Sequence, residues 1–308
     1  MGRFMRVKKY VKVILSIAVG VALVADIGGS GYLFHYAFSK NGYSSKPQGP
    51  LSKDDKWFVN SKTETWQQTS KDNLKLKARF LPAEKKTAKT VVVIHGYGTG
   101  SSYMGDYAKM FHDAGYNVLA PDNRSFGMSQ GKYVGYGWKD RDDIMNWIKQ
   151  INQKFGQKSE IGLFGVSMGA ATVMYTLGKH PSNVKFAIAD CGYSTISGEL
   201  NYQLKEMFNL PSFPLVPTAS LYGDVLAGYN FYQASTKDTL KNNKVPLYII
   251  HGSKDRFVPT ENAYKNYQYD KGPKKLWIVK GAAHAEAKKV AGQKYVTNTI
   301  DFAKEYFK

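Results

Sequence analysis

The chain has 308 residues, of which 43% are hydrophobic and 22% are charged, and its formal net charge is +19. This length and composition suit one large α/β domain or two small ones, and they exclude a mainly disordered chain. Because Cys191 is the only cysteine, an intrachain disulfide and a cysteine-based zinc site are also excluded.

The positive charge points to an anionic partner or surface. The lysines are scattered along the chain, and no zinc-finger spacing or RNA-binding signature accompanies them, so we do not expect nucleic acid to be a partner. The first forty residues contain six basic residues and one acidic residue, which leaves +14 for residues 41–308. An anionic lipid or a cell-wall polymer is therefore the surface partner that the charge favours.

The N-terminus has the charge pattern of a membrane-targeting segment. Basic residues precede an apolar stretch that begins at Val13, and residues 13–25 carry no charge. This asymmetry predicts that the N-terminus stays in the cytoplasm. The uncharged run is shorter than the roughly 20 residues that a bilayer span needs, and extending it to Phe38 places Asp26 inside the span at a cost of about 3 kcal/mol.

Three interpretations of residues 1–40 remain open. No convincing small-x-small cleavage site ends the apolar run, so we favour an uncleaved signal-anchor in the cell membrane. The remaining chain would then lie outside the cell, and Tyr32, Phe34, Tyr36 and Phe38 would suit the outer headgroup layer. The alternatives are a cleaved signal peptide, which would give a secreted protein, and a buried N-terminal helix.

Residues 41–62 are predicted to be a linker, because residues 40–56 lack an apolar period and are rich in Lys, Pro and Gly. The folded domain is predicted to span residues 63–308. It begins with weak alternation over residues 63–81 around the turn-like Lys71-Asp72-Asn73, which suggests an antiparallel hairpin.

The pattern then changes to short apolar runs separated by helical segments. Such runs are typical of strands buried on both faces of a parallel sheet. The runs are at residues 91–94, 117–120, 161–164, 186–189, 247–250 and 276–279, and the helical patterns lie near residues 102–114, 138–155, 168–180, 260–269 and 286–307. The alternation predicts an open α/β sheet with helices on both faces, whose ligand site lies at the carboxyl ends of the strands.

A nucleophile pattern follows the third of these runs. Gly165-Val166-Ser167-Met168-Gly169 matches Gly-x-Ser-x-Gly and stands between a predicted strand and a predicted helix. The pattern also occurs by chance, but this context is the one its mechanics require, because the glycines permit a sharp turn that exposes the serine hydroxyl. Ser167 is therefore the candidate nucleophile.

A serine needs a base to take its proton and an acid to orient that base. We assign the base to His284, which follows the last strand in a loop of small residues, and we regard His95 and His251 as turn residues. We assign the acid to Asp255, with Asp190 as the alternative. The chain order Ser167, Asp255, His284 is the one that the nucleophile-elbow fold uses.

The reaction also needs two hydrogen-bond donors for the oxyanion, and these are normally backbone amides. We assign them to Met168, which begins the helix after the nucleophile, and to Tyr97 in the turn His95-Gly96-Tyr97-Gly98.

A long insertion at about residues 192–244 separates two of the predicted strands and is the natural cap. Its charges cancel, and it contains eight aromatic residues. We therefore expect an apolar acyl or aryl pocket in which Tyr193, Phe213 and Tyr229 contact substrate. The alternative is that these aromatics only pack the cap onto the sheet.

Together these motifs resemble the α/β-hydrolase superfamily, and most closely the bacterial membrane-anchored hydrolases of the serine aminopeptidase and monoglyceride-lipase-like branch. The resemblance spans residues 63–308. It implies a mostly parallel sheet flanked by helices, with a small helical cap inserted late in the sheet, and a Ser-His-Asp triad that acts through an acyl-enzyme. One departure is Ser125, which stands where the loop after Asp122 usually has glycine in Asp-x-Arg-Gly.

These observations predict an exported, membrane-tethered serine hydrolase that cleaves carboxylic esters of apolar acyl or aryl groups. The chemistry needs no metal or organic cofactor, since the triad and two amides suffice. A peptidase or amidase is the second hypothesis, which an acidic residue in the pocket would favour because it could hold a substrate's free amine. The third is a catalytically silent protein that binds a surface polymer or lipid.

Overall fold

The structure is a computed structural model that describes residues 2–42 and 49–308. Within residues 49–308, eight strands form one sheet in the order β1-β2-β4-β3-β5-β6-β7-β8. The strands are β1 Glu64–Thr69, β2 Lys75–Leu81, β3 Lys89–Ile94, β4 Asn117–Pro121, β5 Glu160–Val166, β6 Val184–Asp190, β7 Leu247–Gly252 and β8 Lys274–Val279. β2 pairs antiparallel with β1 and β4, and the other pairs are parallel. The predicted hairpin and mostly parallel sheet are confirmed.

Helices cover both faces of the sheet, as predicted. They are α1 Gly2–Phe38, α2 Lys53–Asn60, α3 Gly105–Asp113, α4 Asp140–Phe155, α5 Met168–Leu177, α6 Ile196–Phe208, α7 Leu215–Tyr222, α8 Thr236–Leu240, α9 Glu261–Tyr269, α10 Ala287–Ala291 and α11 Gln293–Tyr306. One apolar core joins the sheet to α3 and α11, and a second joins it to α4, α5 and α9. The single helix predicted over residues 286–307 is wrong, because Gly292 at φ 53° separates α10 from α11.

Part of the predicted linker is folded. Residues 43–48 lie outside the described residues, but α2 occupies residues 53–60. A capping box between Ser52 and Asp55 begins this helix, Phe58 is fully buried, and Asp55 accepts a hydrogen bond of 2.8 Å from the Gly105 amide. The prediction of a linker through residue 62 is therefore wrong from α2 onward, and Ser52-Lys53-Asp54-Asp55 was the sequence signal for the cap.

The N-terminal helix α1 has two different halves. By length and composition Tyr10–Phe38 could cross a membrane, and its first part, through Ala25, is exposed. Its last turns instead join a third apolar core with the cap, where Phe34 and Phe38 are at most 2% exposed. Phe38 stacks on Phe231 with 4.5 Å between ring centroids. The predicted headgroup role of these two phenylalanines is wrong, because the cap covers them, whereas Tyr32 is 63% exposed.

Asp26, the acid within the apolar helix, is bound by the cap. Its carboxylate accepts a hydrogen bond of 2.7 Å from the Thr218 hydroxyl of α7, and the Ser30 hydroxyl lies 3.0 Å away. Nearby, the Tyr222 hydroxyl donates to the Ile27 carbonyl at 3.1 Å. A carboxylate in an apolar helix needs such partners. Hydrogen bonds as well as apolar contacts therefore join α1 to α7.

Replacing Phe38 by Ala should lower the free energy of unfolding by about 3–4 kcal/mol, because a fully buried aromatic ring leaves a cavity between α1 and the cap. Thermal unfolding of the full chain in detergent would measure the change. The exposed Tyr32→Ala on the same helix is the control, with an expected change of about 0.5 kcal/mol or less. Equal losses in the two variants would contradict the packing of α1 on the cap.

Candidate active site

Ser167 lies in a sharp turn between β5 and α5, with φ 57° and ψ −118°. Two close approaches of the backbone hold this conformation. A Cβ at Gly165 would collide with the Gly169 carbonyl, and a Cβ at Gly169 would collide with the Ile94 carbonyl of β3. The two glycines therefore let strand, turn and helix pack closely enough to present the Ser167 hydroxyl at the carboxyl edge of the sheet.

The three predicted triad residues lie together at this edge. Ser167 Oγ is 2.9 Å from His284 Nε2, and His284 Nδ1 is 2.8 Å from Asp255 Oδ2. In this arrangement Nδ1–H donates to the carboxylate, which leaves Nε2 as the acceptor for the serine proton. The hydrogen-bond chain thus has the order that a base-activated serine requires.

Asp255 is held as a carboxylate by four neighbours. Oδ1 accepts hydrogen bonds of 2.9 Å from the Phe257 and Val258 amides. His251 Nε2 lies 2.9 Å from the Val258 carbonyl and 3.3 Å from Oδ2. Burial alone would raise the pKa of Asp255, but the hydrogen bonds from His251 and His284 hold it below its usual range. His251, interpreted from sequence as a turn residue, therefore also contacts the candidate acid.

The alternative acid, Asp190, has a different partner. It is fully buried at the end of β6, and the Tyr295 hydroxyl donates a hydrogen bond of 2.7 Å to its Oδ2. Burial raises the pKa of Asp190 to about 6. Asp190 makes no hydrogen bond to His284 among the described residues, so the geometry favours Asp255 as the orienting acid.

The two residues predicted to donate to the oxyanion flank Ser167. Met168 begins α5, so its amide has no partner within the helix. A Cβ at Gly96 would contact the Ser167 Cβ at 3.5 Å, which brings the loop containing Tyr97 against the nucleophile. His95 shapes this loop, because it contacts the Gly96 carbonyl through Nδ1 and accepts a hydrogen bond from the Asn123 amide through Nε2.

The loop after β4 explains the departure at Ser125. Ser125 has φ 73°, a conformation in which glycine is usual, and its hydroxyl donates to the Tyr133 carbonyl at 2.7 Å. The flanking Asp122 accepts backbone hydrogen bonds, while Arg124 forms a buried ion pair of 2.8 Å with Asp143. Asp122 and Arg124 are structural residues here.

An apolar cavity opens above Ser167, between α1 and the cap. Aliphatic and aromatic side chains dominate its lining, which includes Leu33, Phe34 and Phe38 of α1 and Leu200, Leu204 and Val216 of the cap. Residues of the N-terminal helix were not predicted to line the pocket. No local pattern in the sequence could show this contact, since it joins segments about 170 residues apart.

Of the three aromatic residues predicted to contact substrate, one lines the cavity and two do not. Tyr193 lines the cavity and is 3% exposed. Phe213 does not line it and is 76% exposed, because the residues before α7 lie on the outer surface of the cap. Tyr229 does not line it either, since its hydroxyl donates to the Val134 carbonyl at 2.8 Å and its ring is buried. The predictions for Phe213 and Tyr229 are therefore corrected.

Glu199 of α6 is a pocket residue that the sequence analysis did not single out. It lines the cavity and is 6% exposed. Oε1 accepts a hydrogen bond of 2.8 Å from Gln203, whereas Oε2 is buried without a partner among the described residues. Burial raises the pKa of Glu199 to about 8, so the carboxyl is protonated at neutral pH and can donate a hydrogen bond.

Comparisons with known proteins agree with the fold described above. Residues 85–197 match the family model described as serine aminopeptidase, S33. The chain is 32% identical to YqkD of Bacillus subtilis over 204 residues, which cover 66% of this chain and 67% of that protein. It superimposes on the Pyrococcus furiosus esterase Pf2001 with a TM-score of 0.69 and 25% identity, covering 85% of this chain and 97% of the esterase.

A peptidase shares the fold as well. The acylaminoacyl peptidase of Pyrococcus horikoshii superimposes with a TM-score of 0.62 and 20% identity over 84% of this chain and 44% of that one. This similarity concerns the fold alone.

The Glu199→Gln variant should be more stable than the parent chain above about pH 8. The folded carboxyl keeps its proton up to that pH, whereas the unfolded one releases it near 4.5, so raising the pH between these values favours unfolding of the parent. Melting temperatures at pH 6 and pH 9 would measure the difference, with the exposed Glu206→Gln on the same helix as control. If the parent and Glu199→Gln showed the same pH dependence, the buried protonated carboxyl would be refuted.

Proposed function

We propose that this chain, which belongs to the α/β-hydrolase superfamily, is a membrane-tethered serine hydrolase that cleaves carboxylic esters of apolar acyl groups through an acyl-enzyme. The observation that carries the proposal is the hydrogen-bond chain from Ser167 through His284 to Asp255 at the base of an apolar cavity. The alternatives within the superfamily that use an aspartate nucleophile do not fit a serine at this position.

The reaction follows from these positions. His284 Nε2 accepts the Ser167 proton as Oγ attacks the ester carbonyl, and Asp255 stabilises the imidazolium that forms. The amides of Met168 and Tyr97 would stabilise the oxyanion of the tetrahedral intermediate. The imidazolium then gives its proton to the leaving alcohol, and a water activated by His284 hydrolyses the acyl-enzyme and restores Ser167.

The cavity favours an apolar acyl group. Its walls are built mainly from aliphatic side chains and phenylalanine, with Ser167, Glu199 and Gln203 among the few polar groups. Burial of each methylene in such a cavity contributes about 0.8 kcal/mol to transition-state binding. Activity should therefore rise as acyl chains lengthen from two to eight carbons, until the cavity is filled.

The tether in this proposal is α1. Its segment Tyr10–Phe38 is long and apolar enough to cross a membrane, basic residues lie in its first turns, and its last turns form one wall of the cavity. Removal of the whole helix by cleavage would therefore remove part of the pocket, which favours an uncleaved signal-anchor with the domain outside the cell.

Peptidase or amidase activity is the second candidate, and Glu199 is the observation that favours it. An acidic residue in the pocket could hold a substrate's free amine, and Oε2 of Glu199 is buried without a partner among the described residues. Binding an ammonium group would require the carboxyl to ionise, and the positive charge of the ammonium would favour this by lowering the raised pKa of Glu199. The family model and the peptidase of the same fold are compatible with this candidate.

Fluorophosphonate labelling of the full chain in detergent tests the hydrolase proposal, because the probe reacts with a base-activated serine. We expect the parent to be labelled, Ser167→Ala to lose labelling, and Asp255→Asn to lose about 10⁴-fold in the turnover of esters. The exposed Ser182→Ala is the matched serine control. A folded parent that resists the probe would instead favour a catalytically silent binding protein.

The ester and peptidase candidates differ in the response to Glu199→Gln. For an esterase, hydrolysis of 4-nitrophenyl octanoate should persist in the variant, and amino-acid nitroanilides should be poor substrates. For a peptidase, nitroanilides with a free amine should be preferred over their N-acetylated forms, and Glu199→Gln should abolish that preference. Comparing kcat/KM for the three substrates in the parent and the variant measures both effects.

A further inference from the structure

The uncharged part of α1 is too short for a bilayer. Residues 13–25 contain no charged residue, and as a helix they span about 20 Å, whereas the hydrocarbon layer is about 30 Å thick. The missing length of about 10 Å corresponds to about seven further residues of helix. The outer boundary of the hydrocarbon layer would then lie near Tyr32. The segment from Asp26 to Tyr32 would therefore lie within the hydrocarbon layer.

That segment contacts α7. Asp26 receives its hydrogen bond from Thr218, Leu215 packs over Gly29, and the Tyr222 ring lies against Gly31. Because α7 is fixed beside these residues, it reaches the same depth as they do. The contact with Thr218 also reduces the cost of placing Asp26 there, since the carboxyl has a partner that is not water.

The outer surface of the cap next to this contact is apolar. We call residues 210–226 the cap ridge. The most exposed of its large apolar side chains are Val225 at 82%, Phe213 at 76% and Leu221 at 62%, and Asp224 is the one charged residue in the segment. A ridge of this composition would expose several large apolar groups to water, whereas a lipid layer would cover them.

The cavity opens beside the next turns of α1, residues 33–38. Met207 and Phe208 line the cavity and are 45% and 38% exposed, which places them at its rim. The Phe208 ring packs edge-on against Tyr36, with 5.6 Å between ring centroids. Tyr36 lies four residues beyond Tyr32, about 6 Å along the helix, which is the thickness of the headgroup layer.

We infer that the cap ridge inserts into the outer leaflet and that the cavity takes its acyl chain directly from the bilayer, past Tyr36 and Phe208. The substrate class is therefore an acyl ester that resides in the membrane. This inference rests on the proposed function for the hydrolysis step, but the insertion of the ridge does not depend on catalysis.

A membrane fits the ridge better than a second protein does. α1 runs directly from its contact with the cap ridge into the segment that would cross the bilayer. The cap ridge therefore lies beside the membrane surface from which α1 emerges. The domain's charge of +14 would also draw it towards anionic headgroups.

Insertion can be measured on the full chain in vesicles of phosphatidylcholine and phosphatidylglycerol. Val225→Cys would be labelled with an environment-sensitive fluorophore, and Val290→Cys on α10, an exposed valine remote from the cap, is the matched control. Cys191 is 1% exposed, so the parent chain should not be labelled. We expect nitroxide lipids to quench the label at position 225 and not at 290. Equal quenching at both positions, or none at 225, would overturn the inference.

Access of the acyl chain is tested with two substrates and a paired variant. Leu221→Glu with Val225→Glu should reduce hydrolysis of a long-chain acylglycerol in the bilayer by about tenfold, because charged groups resist insertion, and should leave 4-nitrophenyl butyrate unchanged. Tyr264→Glu with Val290→Glu is the control pair. Equal loss on both substrates, or no loss on the acylglycerol, would contradict access through the ridge.

The two measurements separate the inference from the proposed function. Quenching at position 225 without hydrolysis of either ester by the parent would refute the esterase and keep the insertion. Hydrolysis of the soluble ester without quenching would refute the insertion and keep the hydrolase.

Discussion

The packing of the last turns of α1 on the cap is the contact on which the rest of the site depends. Phe34 and Phe38 are buried among cap residues, and the same helix contributes cavity wall above Ser167. The cap therefore does not close over the sheet alone. It closes over the sheet and over α1, the N-terminal helix. One apolar core therefore determines both the shape of the pocket and the direction in which α1 leaves the domain.

The position of Ser167, the candidate nucleophile, depends on a second kind of constraint, the close approach of backbones. Gly165 and Gly169 have no room for a side chain, and this proximity holds Ser167 at a positive φ that a serine in an isolated turn would avoid. Ser125 adopts a positive φ as well, but a hydrogen bond to Tyr133 compensates there. At this edge of the sheet, steric contacts therefore hold the backbone at Ser167, and a hydrogen bond holds it at Ser125.

Local patterns predicted the parts of the molecule that local physics determines. The buried strands, the strand-turn-helix around Ser167 and the loops that bring Asp255 and His284 to one edge could be placed from periodicity and chain order. The burial of Phe34 and Phe38 could not, because an aromatic residue in an apolar helix has the same pattern whether lipid or protein covers it. The predictions that Phe213 and Tyr229 contact substrate were wrong for a related reason. The composition of the cap indicates an apolar pocket without indicating which rings face inward.

Two buried carboxyl groups near Ser167 show how packing assigns charge. Asp255 accepts hydrogen bonds from two amides and lies beside two histidines, so it stays ionised although it is buried. Within residues 2–42 and 49–308, Gln203 is the one hydrogen-bond partner of Glu199, and burial raises the pKa of Glu199 to about 8, so it keeps its proton at neutral pH. A carboxyl group is therefore ionised in Asp255, beside His284, and neutral in Glu199, which lines the cavity. In the proposed reaction, a neutral carboxyl could contact the polar end of an ester without repelling the oxyanion of the tetrahedral intermediate, whereas an ionised one would oppose that charge.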